Sequence, residues 1–413
     1  MTVLQLGQAA KASAAQIATA SSGKKRDLLL CLAGLIAERE GDILAANQLD
    51  VAEAENNGIG EVMVDRLLLT PPRIAAMAEA TRVIAGLDDP IGMIEGGVTR
   101  PNGLRIIDKR VPIGVIAIIY ESRPNVTVDA AALCLKAGNA VVLRGGKEAI
   151  NSNKMLAEII KDALAASGFS KDIVGLVTDT SRESAKQLME LTGCVDLLIP
   201  RGGRELIDST FRNAKVPVIE TGAGNCHVYV DEYADMDMGL SIVENAKMQR
   251  PSVCNAAETL LVHKAVAEIF LAGIHEKIGD RVEFRTDERA KALLPSAKDA
   301  DEEDWYKEYN DYILAVRVVD DVEDAVRHIN KYSTRHSDAI VTENVRNADY
   351  FLDNVDSAAV YLNASTRFTD GEEFGLSAEI GISTSKLHAR GPMGLKALTT
   401  TKLIILGSGQ IRG

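Results

Sequence analysis

The sequence predicts an α/β protein of two or three domains built around a parallel sheet. Three observations carry that expectation. Short apolar runs alternate with helical stretches through the middle of the chain. The runs are continuous rather than alternating, the pattern of strands buried on both faces. The chain has 413 residues, 46% hydrophobic and 25% charged. That is too long for one small core and ordinary for a globular protein in water.

In chain order, residues 9–39 and 41–54 pattern as amphipathic helices, and Pro71-Pro72 opens another. Residues 103–111 alternate like a strand or hairpin between Gly and Pro, an edge strand or a protruding arm. Then the rhythm begins. Strands are expected at 115–119, 140–143, 173–177, 195–199 and 216–219. Helices between them are expected at 126–136, 152–166, 182–191 and 203–213, the first two stopped by Gly138 and Gly168. Further on, residues 239–247 pattern as a helix and 259–262 as a strand. The acidic stretch 299–305 reads as a solvated loop.

Charge narrows the partners. The formal net charge is −13, which argues against broad nucleic-acid binding because that needs a basic face. An anionic ligand needs a local basic pocket. The first twenty or so residues lack the basic head and apolar core of a secretory signal. No run approaches the about 18 apolar residues of a membrane span. The five cysteines form no CxxC pair, which fits a reducing cytoplasm. No His/Cys cluster has metal-ligand spacing, so no metal is expected.

Two kinds of motif carry chemistry. Cys254 lies in a Pro-bearing connector, Met248-Gln249-Arg250-Pro251-Ser252-Val253-Cys254-Asn255, between an expected helix and an expected strand. A loop on a rigid scaffold exposes its side chains to substrate, and a thiolate can hold an acyl group as a thioester. An inert buried thiol is the alternative. No GxGxxG fingerprint is present. Instead Arg144-Gly145-Gly146-Lys147 follows one expected strand and Arg201-Gly202-Gly203-Arg204 another. Glycines let backbone N–H groups approach a phosphate and the cations add charge. Two such loops on one sheet favour a nucleotide.

Val111-Pro112-Ile113-Gly114-Val115, Ala137-Gly138-Asn139-Ala140-Val141-Val142-Leu143-Arg144, Glu220-Thr221-Gly222-Ala223-Gly224-Asn225 and Cys254 together resemble the aldehyde dehydrogenase superfamily. The interval from Glu220 to Cys254 is the family's usual one. Four further stretches resemble one branch of it, the γ-glutamyl-phosphate reductases: 325–340, Asp370-Gly371-Glu372-Glu373-Phe374-Gly375-Leu376, Ala378-Glu379-Ile380-Gly381-Ile382-Ser383-Thr384, and Lys386-Leu387-His388-Ala389-Arg390-Gly391-Pro392-Met393-Gly394-Leu395. The likeness runs nearly the whole chain.

That resemblance implies an aldehyde-dehydrogenase-like fold. A parallel-sheet cofactor domain would span 1–102 and 114–226, and an α/β catalytic domain 227–385. A small oligomerisation arm would span 103–113 and 398–413. It implies NADPH-dependent reduction of L-glutamyl 5-phosphate to glutamate 5-semialdehyde, the second step of proline synthesis, through a thioester on Cys254. Asn125 is the candidate oxyanion donor, with a helix N-cap as its plain alternative. Glu220 matches the family's general base, although activating water would waste an acyl phosphate. Glu308 lies where the family holds the nicotinamide ribose. Lys147 beside Arg144 stands where NAD-preferring relatives carry an acid, which favours a 2′-phosphate and hence NADPH. Glu148 opposes that inference.

A phosphorylated amino acid needs anion clamps. Lys386, His388 and Arg390 alternate at period two, so an extended segment would present them on one side. Arg123 and Arg250 are further candidates, and Arg is the better fork for phosphate or carboxylate. The partners expected are the small substrate, a second copy of the chain, and a glutamate kinase that supplies the labile acyl phosphate. The principal alternative is another acylating aldehyde dehydrogenase, one that uses coenzyme A.

Overall fold

A computed structural model describes residues 1–412; the side chains of Glu61 and Val62 lie outside the description, and so does Gly413 at the end of the expected arm. The chain divides into two compact units. The first comprises Met1–Glu220, Gly375–Gly381 and Met393–Gly413, and the second Thr221–Phe374 and Ile382–Pro392. The exchange comes earlier than the expected 226/227, at the Glu220–Thr221 bond, and the C-terminal motif is shared between the units.

The first unit opens with helices Val3–Ala18, Ser22–Glu38, Glu40–Asn56 and Pro71–Gly86. The single helix expected over 9–39 is thus two. The break falls at a run of small hydroxyl residues, where Ser21 turns out of the helix and caps the next one by accepting from the Lys24 N–H. The sheet of this unit has parallel order Val174–Leu176, Ala140–Arg144, Val115–Tyr120, Leu197–Arg201. Every residue of Val115–Tyr120 is buried. The strand expected at 216–219 shrinks to one bridge between Leu198 and Val218. Pro217 has no N–H to extend the ladder. This order sets the loop after Tyr120 between the two glycine loops, at the carboxyl ends where such sheets bind ligands.

The arm is a three-stranded antiparallel sheet, ordered Ile94–Thr99, Arg105–Pro112, Thr399–Leu406. Its first strand went unanticipated, because Gly96-Gly97 and full exposure leave no alternating pattern to read. Arg110 fastens the sheet, donating from Nη1 to Thr399 Oγ1 at 2.7 Å and pairing with Glu95.

The second unit has one parallel seven-stranded sheet, ordered Lys298–Asp299, Glu283–Thr286, Ile313–Val319, Ala257–His263, Cys226–Val230, Ser337–Val341, Ala359–Leu362. Successive strand residues feed separate cores on its two faces. Val228, Val230, Leu260 and Val262 pack with helices Met236–Met248 and Ala267–Ile278. Tyr229 and Leu261 pack with Val322–Tyr332 and Phe351. The acidic stretch is not simply solvated. Asp304 and Trp305 are buried, and Asp304 accepts from Arg285 Nη1 at 2.6 Å and from the Tyr309 hydroxyl at 2.9 Å. Among the described residues no helix is long and apolar enough to cross a membrane.

Two histidines of this unit are buried neutral. Burial pushes His328 down to about 2, helped by the nearby His227 and Arg317, and Arg317 Nη1 donates to its Nδ1 at 2.8 Å. Burial likewise lowers His336 to about 4. The unfolded imidazoles titrate near 6.5, so between that value and the folded ones the unfolded chain binds more protons. Stability is therefore full above about pH 6.5 and falls as the pH drops, by up to about 1.4 kcal/mol per pH unit for each histidine. Melting of the wild type from pH 7.5 to 4.5 should show that decline. His328→Gln, which keeps an acceptor for Arg317, should flatten it, and an unchanged slope would contradict the assignment.

Candidate active site

In the first unit the first glycine loop, through Arg144, Gly146 and Lys147, borders a cavity of about 800 Å³, which Glu205 and Leu206 line just beyond the second loop. Ile59 and the helical residues Met63, Leu67, Met189 and Leu206 line its apolar part. Lys147, Arg182 and Lys186 line it with cations that have no carboxylate partner among the described residues. Arg144 is different. Its Nη2 donates to the carbonyls of Thr180 and Ser181 at 2.7 and 3.1 Å, so it ties two loops together. Burial lowers its pKa, against the opposing pull of Glu148, Asp179 and Glu121. Glu148 is also committed, for its Oε1 accepts from the backbone N–H and the hydroxyl of Ser122 at 2.7 and 3.0 Å.

The second glycine loop offers less than its sequence suggests. The Gly203 N–H, which begins the helix Arg204–Asn213, already donates to Glu121 Oε2 at 2.8 Å. A Cβ on Gly202 would lie 2.3 Å from that oxygen. Gly202 is therefore needed for the close approach of the protein's own carboxylate. At Gly145 a Cβ would lie 2.2 Å from Asn153 Nδ2 and 3.0 Å from the Tyr120 ring, so this glycine serves packing beneath the loop. Gly146 and Lys147 face the cavity.

Asn125 is not an N-cap. Pro124 holds that position, and Asn125 is the first residue of the helix Asn125–Lys136. Its Nδ2 donates to Asp129 Oδ2 at 2.8 Å, one turn on. Burial raises Asp129 to about 6, opposed by this hydrogen bond and by Arg201. Arg123 is exposed in the same loop, and Glu220 is half-buried at the end of the unit's main segment.

In the second unit Cys254 sits half-buried in a turn between the helix Met236–Met248 and the strand Ala257–His263. Because the sheet is parallel, the turn shares one edge with the segment before Cys226–Val230. The two meet closely: a Cβ on Gly224 would lie 1.4 Å from the Cys254 carbonyl oxygen. The same carbonyl accepts from Cys226 Sγ at 3.2 Å, and the Gly224 N–H donates to Glu308 Oε1 at 2.8 Å. Behind the turn, Lys247 and Glu258 form a fully buried ion pair at 2.7 Å. Burial raises Glu258 to about 7 against the pull of Lys247.

The remaining candidates are placed unevenly. Arg250 is exposed just before the turn. Lys386, His388 and Arg390 do not alternate along a strand, for residues 386–388 form a bend. Lys386 Nζ and Arg390 Nη2 instead converge on one carboxylate, Asp356, at 2.6 and 3.0 Å. Sequence reasoning missed Asp356, which lies far from them in sequence. It also missed Arg182 and Lys186 as cavity cations, although both lie on the helix expected at 182–191. Among the described residues no His/Cys/Asp/Glu group has metal-site geometry.

Known proteins resemble this chain throughout its length. The model of the aldehyde dehydrogenase family matches residues 2–311. A γ-glutamyl phosphate reductase of Petrotoga mobilis is 55% identical over 410 residues, covering 99% of each chain. One from Carboxydothermus hydrogenoformans is 55% identical over 412 residues, covering 100% of this chain and 99% of its own. Among solved structures, the γ-glutamyl phosphate reductase of Thermotoga maritima superposes with a TM-score of 0.98 at 45% identity, covering 100% of both chains. An acetylating aldehyde dehydrogenase of Geobacillus thermoglucosidasius reaches a TM-score of 0.70 at 17% identity, with 100% and 97% of the two chains covered, a likeness of fold alone.

The Gly224–Cys254 contact generates a sharp expectation. Gly224→Ala should cost about 2 kcal/mol or more, because backbone rather than a rotatable side chain must yield. Gly222→Ala, whose Cβ would have atoms of the Thr384 side chain as its nearest neighbours, should cost less. Melting curves of both variants decide it; a Gly224→Ala protein as stable as wild type would contradict the packing.

Proposed function

The chain belongs to the aldehyde dehydrogenase family and to its γ-glutamyl phosphate reductase branch, and from that premise we propose NADPH-dependent reduction of L-glutamyl 5-phosphate through a thioester on Cys254. Such a reaction makes the protein an oxidoreductase of proline biosynthesis. The observation that carries the mechanism is the half-buried Cys254 thiol in a pinned turn at the edge of a rigid parallel sheet.

An acyl phosphate is already activated, so the protein's task is to accept and hold the acyl group. The Cys254 thiolate attacks the acyl carbon, the C–S bond forms and phosphate leaves. The thioester then accepts two electrons and a proton more readily than a carboxylate would, and the hemithioacetal collapses to aldehyde and thiolate. A nicotinamide dinucleotide, when bound, supplies the reducing equivalents.

The cavity of the first unit fits such a cofactor. Its size suits a nucleotide, its apolar helical wall suits a base, and its three cations without carboxylate partners suit phosphates. Lys147, Arg182 and Lys186 would hold the 2′-phosphate. Glu148 lines the same cavity, as do Glu121 and Glu205, with its Oε1 engaged by the Ser122 N–H and hydroxyl. Gly146 would allow close backbone approach, whereas Arg144, Gly145, Gly202 and Gly203 would shape the loops.

Asn125 carries over the family's oxyanion role. Asn125 can serve an oxyanion only by exchanging its bond to Asp129. Glu220 is assigned no hydrolytic duty, since water would destroy the acyl phosphate. Glu308 holds the Gly224 N–H and acts first on the nucleophile's turn. The arm, with Val98, Leu403 and Ile405 exposed at 51%, 62% and 54%, is assigned to self-association. A kinase is the class of enzyme that must supply the labile acyl phosphate.

Reversal of the reaction tests the reading. Glutamate semialdehyde with NADP⁺ should raise nicotinamide absorbance beyond the stoichiometric amount that acylates Cys254 only when phosphate is added, and coenzyme A should not replace phosphate. Turnover without phosphate would contradict the assignment. Cys254→Ser should stay folded and bind NADPH but lose several decades of turnover, because an alkoxide forms poorly at neutral pH. Lys147→Glu should shift the NADPH/NADH ratio of kcat/KM by about 10-fold, or about 1.4 kcal/mol. An unchanged ratio would remove Lys147 from the 2′-phosphate.

A further inference from the structure

Arg367 stands out among the cations of the second unit. It lies on a short 3₁₀ turn, Thr366–Phe368, far from Cys254 in sequence and outside the motifs that pointed to the site. The turn is stitched to the residue that follows the nucleophile. Thr366 Oγ1 donates to the Asn255 carbonyl at 2.7 Å, and Asn255 Nδ2 donates to the carbonyls of Arg367 and Thr369 at 3.2 and 2.9 Å. The side chain reaches back to the other flank, where Arg367 Nε donates to Gln249 Oε1 at 2.9 Å. Arg367 therefore spans the Cys254 turn from both sides.

Its charge is also uncommitted. Burial lowers the half-buried guanidinium below its usual range, while the charges of Cys254 and Asp370 raise it and that of Arg250 lowers it. Among the described residues no carboxylate lies within ion-pairing distance of it. Lys386 and Arg390, by contrast, already share Asp356. One Arg367 nitrogen is fixed by Gln249, which leaves the terminal fork to meet an oxyanion.

We propose that Arg367 is a catalytic residue that binds the phosphoryl group of the substrate and receives it as it leaves the acyl carbon. The inference rests on the acyl-phosphate reading above. In the substrate, phosphorus lies two bonds from the carbon that Cys254 attacks, whereas the α-carboxylate carbon lies four bonds away. A cation bracketing the nucleophile is thus nearest the phosphate. As the Sγ–C bond forms and the C–O bond breaks, the bonding pair departs with phosphate and its charge rises. The guanidinium stabilises that gain. In reverse it holds inorganic phosphate against the thioester, the phosphate oxygen bonds to the acyl carbon, and the thiolate leaves.

The test compares wild type with Arg367→Lys and Arg367→Gln in the reverse direction. Arg367→Gln should raise the KM for inorganic phosphate by about tenfold or more, the loss expected for a hydrogen bond to a charged group. The KM for glutamate semialdehyde should stay within about twofold. Lys should restore only part, since it cannot reproduce the fork. Inorganic phosphate should also slow iodoacetamide alkylation of Cys254 in wild type and not in Arg367→Gln, a readout that needs no turnover. A KM for phosphate unchanged in both variants would overturn the proposal. So would a rise confined to the semialdehyde, which would assign Arg367 to the α-carboxylate, or a fall in melting temperature with every parameter affected alike. Wild type that turns over without phosphate would instead defeat the acyl-phosphate reading itself.

Discussion

The contact between the Gly224 backbone and the Cys254 carbonyl is the constraint on which the geometry of the Cys254 turn depends. There is no room for a Cβ between them. That closeness lets Cys226 Sγ reach the Cys254 carbonyl and lets Glu308 hold the Gly224 N–H. Thr366 and Asn255 fasten the other side of the turn. A thiol held by backbone contacts on a buried parallel sheet loses little freedom when it attacks, which is how a rigid scaffold contributes to rate. The buried Lys247–Glu258 pair behind the turn adds cost as well as order, since removing either partner would strand a charge.

Charge is distributed by commitment more than by number. The chain is acidic overall, yet among the described residues its candidate sites carry cations without carboxylate partners: Lys147, Arg182 and Lys186 on the cavity, and Arg367 bonded to Gln249 on the flank of the Cys254 turn. Other cations with the same sequence appeal are occupied. Arg144 is consumed by two loop carbonyls, and Lys386 and Arg390 by Asp356. Glu121 fills the helix start that the second glycine loop seemed to offer a phosphate. Sites for anions are set by which positive groups the fold leaves unsatisfied.

Much of this was legible in the sequence because it is locally encoded. The continuous apolar runs fixed the strands Val115–Tyr120 and Ala140–Arg144 to within a residue or so, and the position of Cys254 between helix and strand was readable from periodicity. What was not legible depends on partners distant in the chain. Asp356 cannot be seen beside Lys386 and Arg390 without the fold, and nothing local marks Arg367 as a neighbour of Cys254. The strand Ile94–Thr99 is wholly exposed and glycine-bearing, so its pairing leaves no apolar signature. The lost strand at 216–219 shows the reverse error, an apolar run whose proline forbids the ladder.

The proposed reaction turns on one covalent event, transfer of the glutamyl group to Cys254. Mass spectrometry of acid-quenched wild-type protein, after incubation with glutamate semialdehyde and NADP⁺ in the absence of phosphate, tests it most directly. The account predicts a peptide containing Cys254 that carries one glutamyl group, and its disappearance on brief addition of phosphate before the quench. An unmodified Cys254 peptide with NADP⁺ nonetheless reduced, or the adduct on another residue, would contradict it.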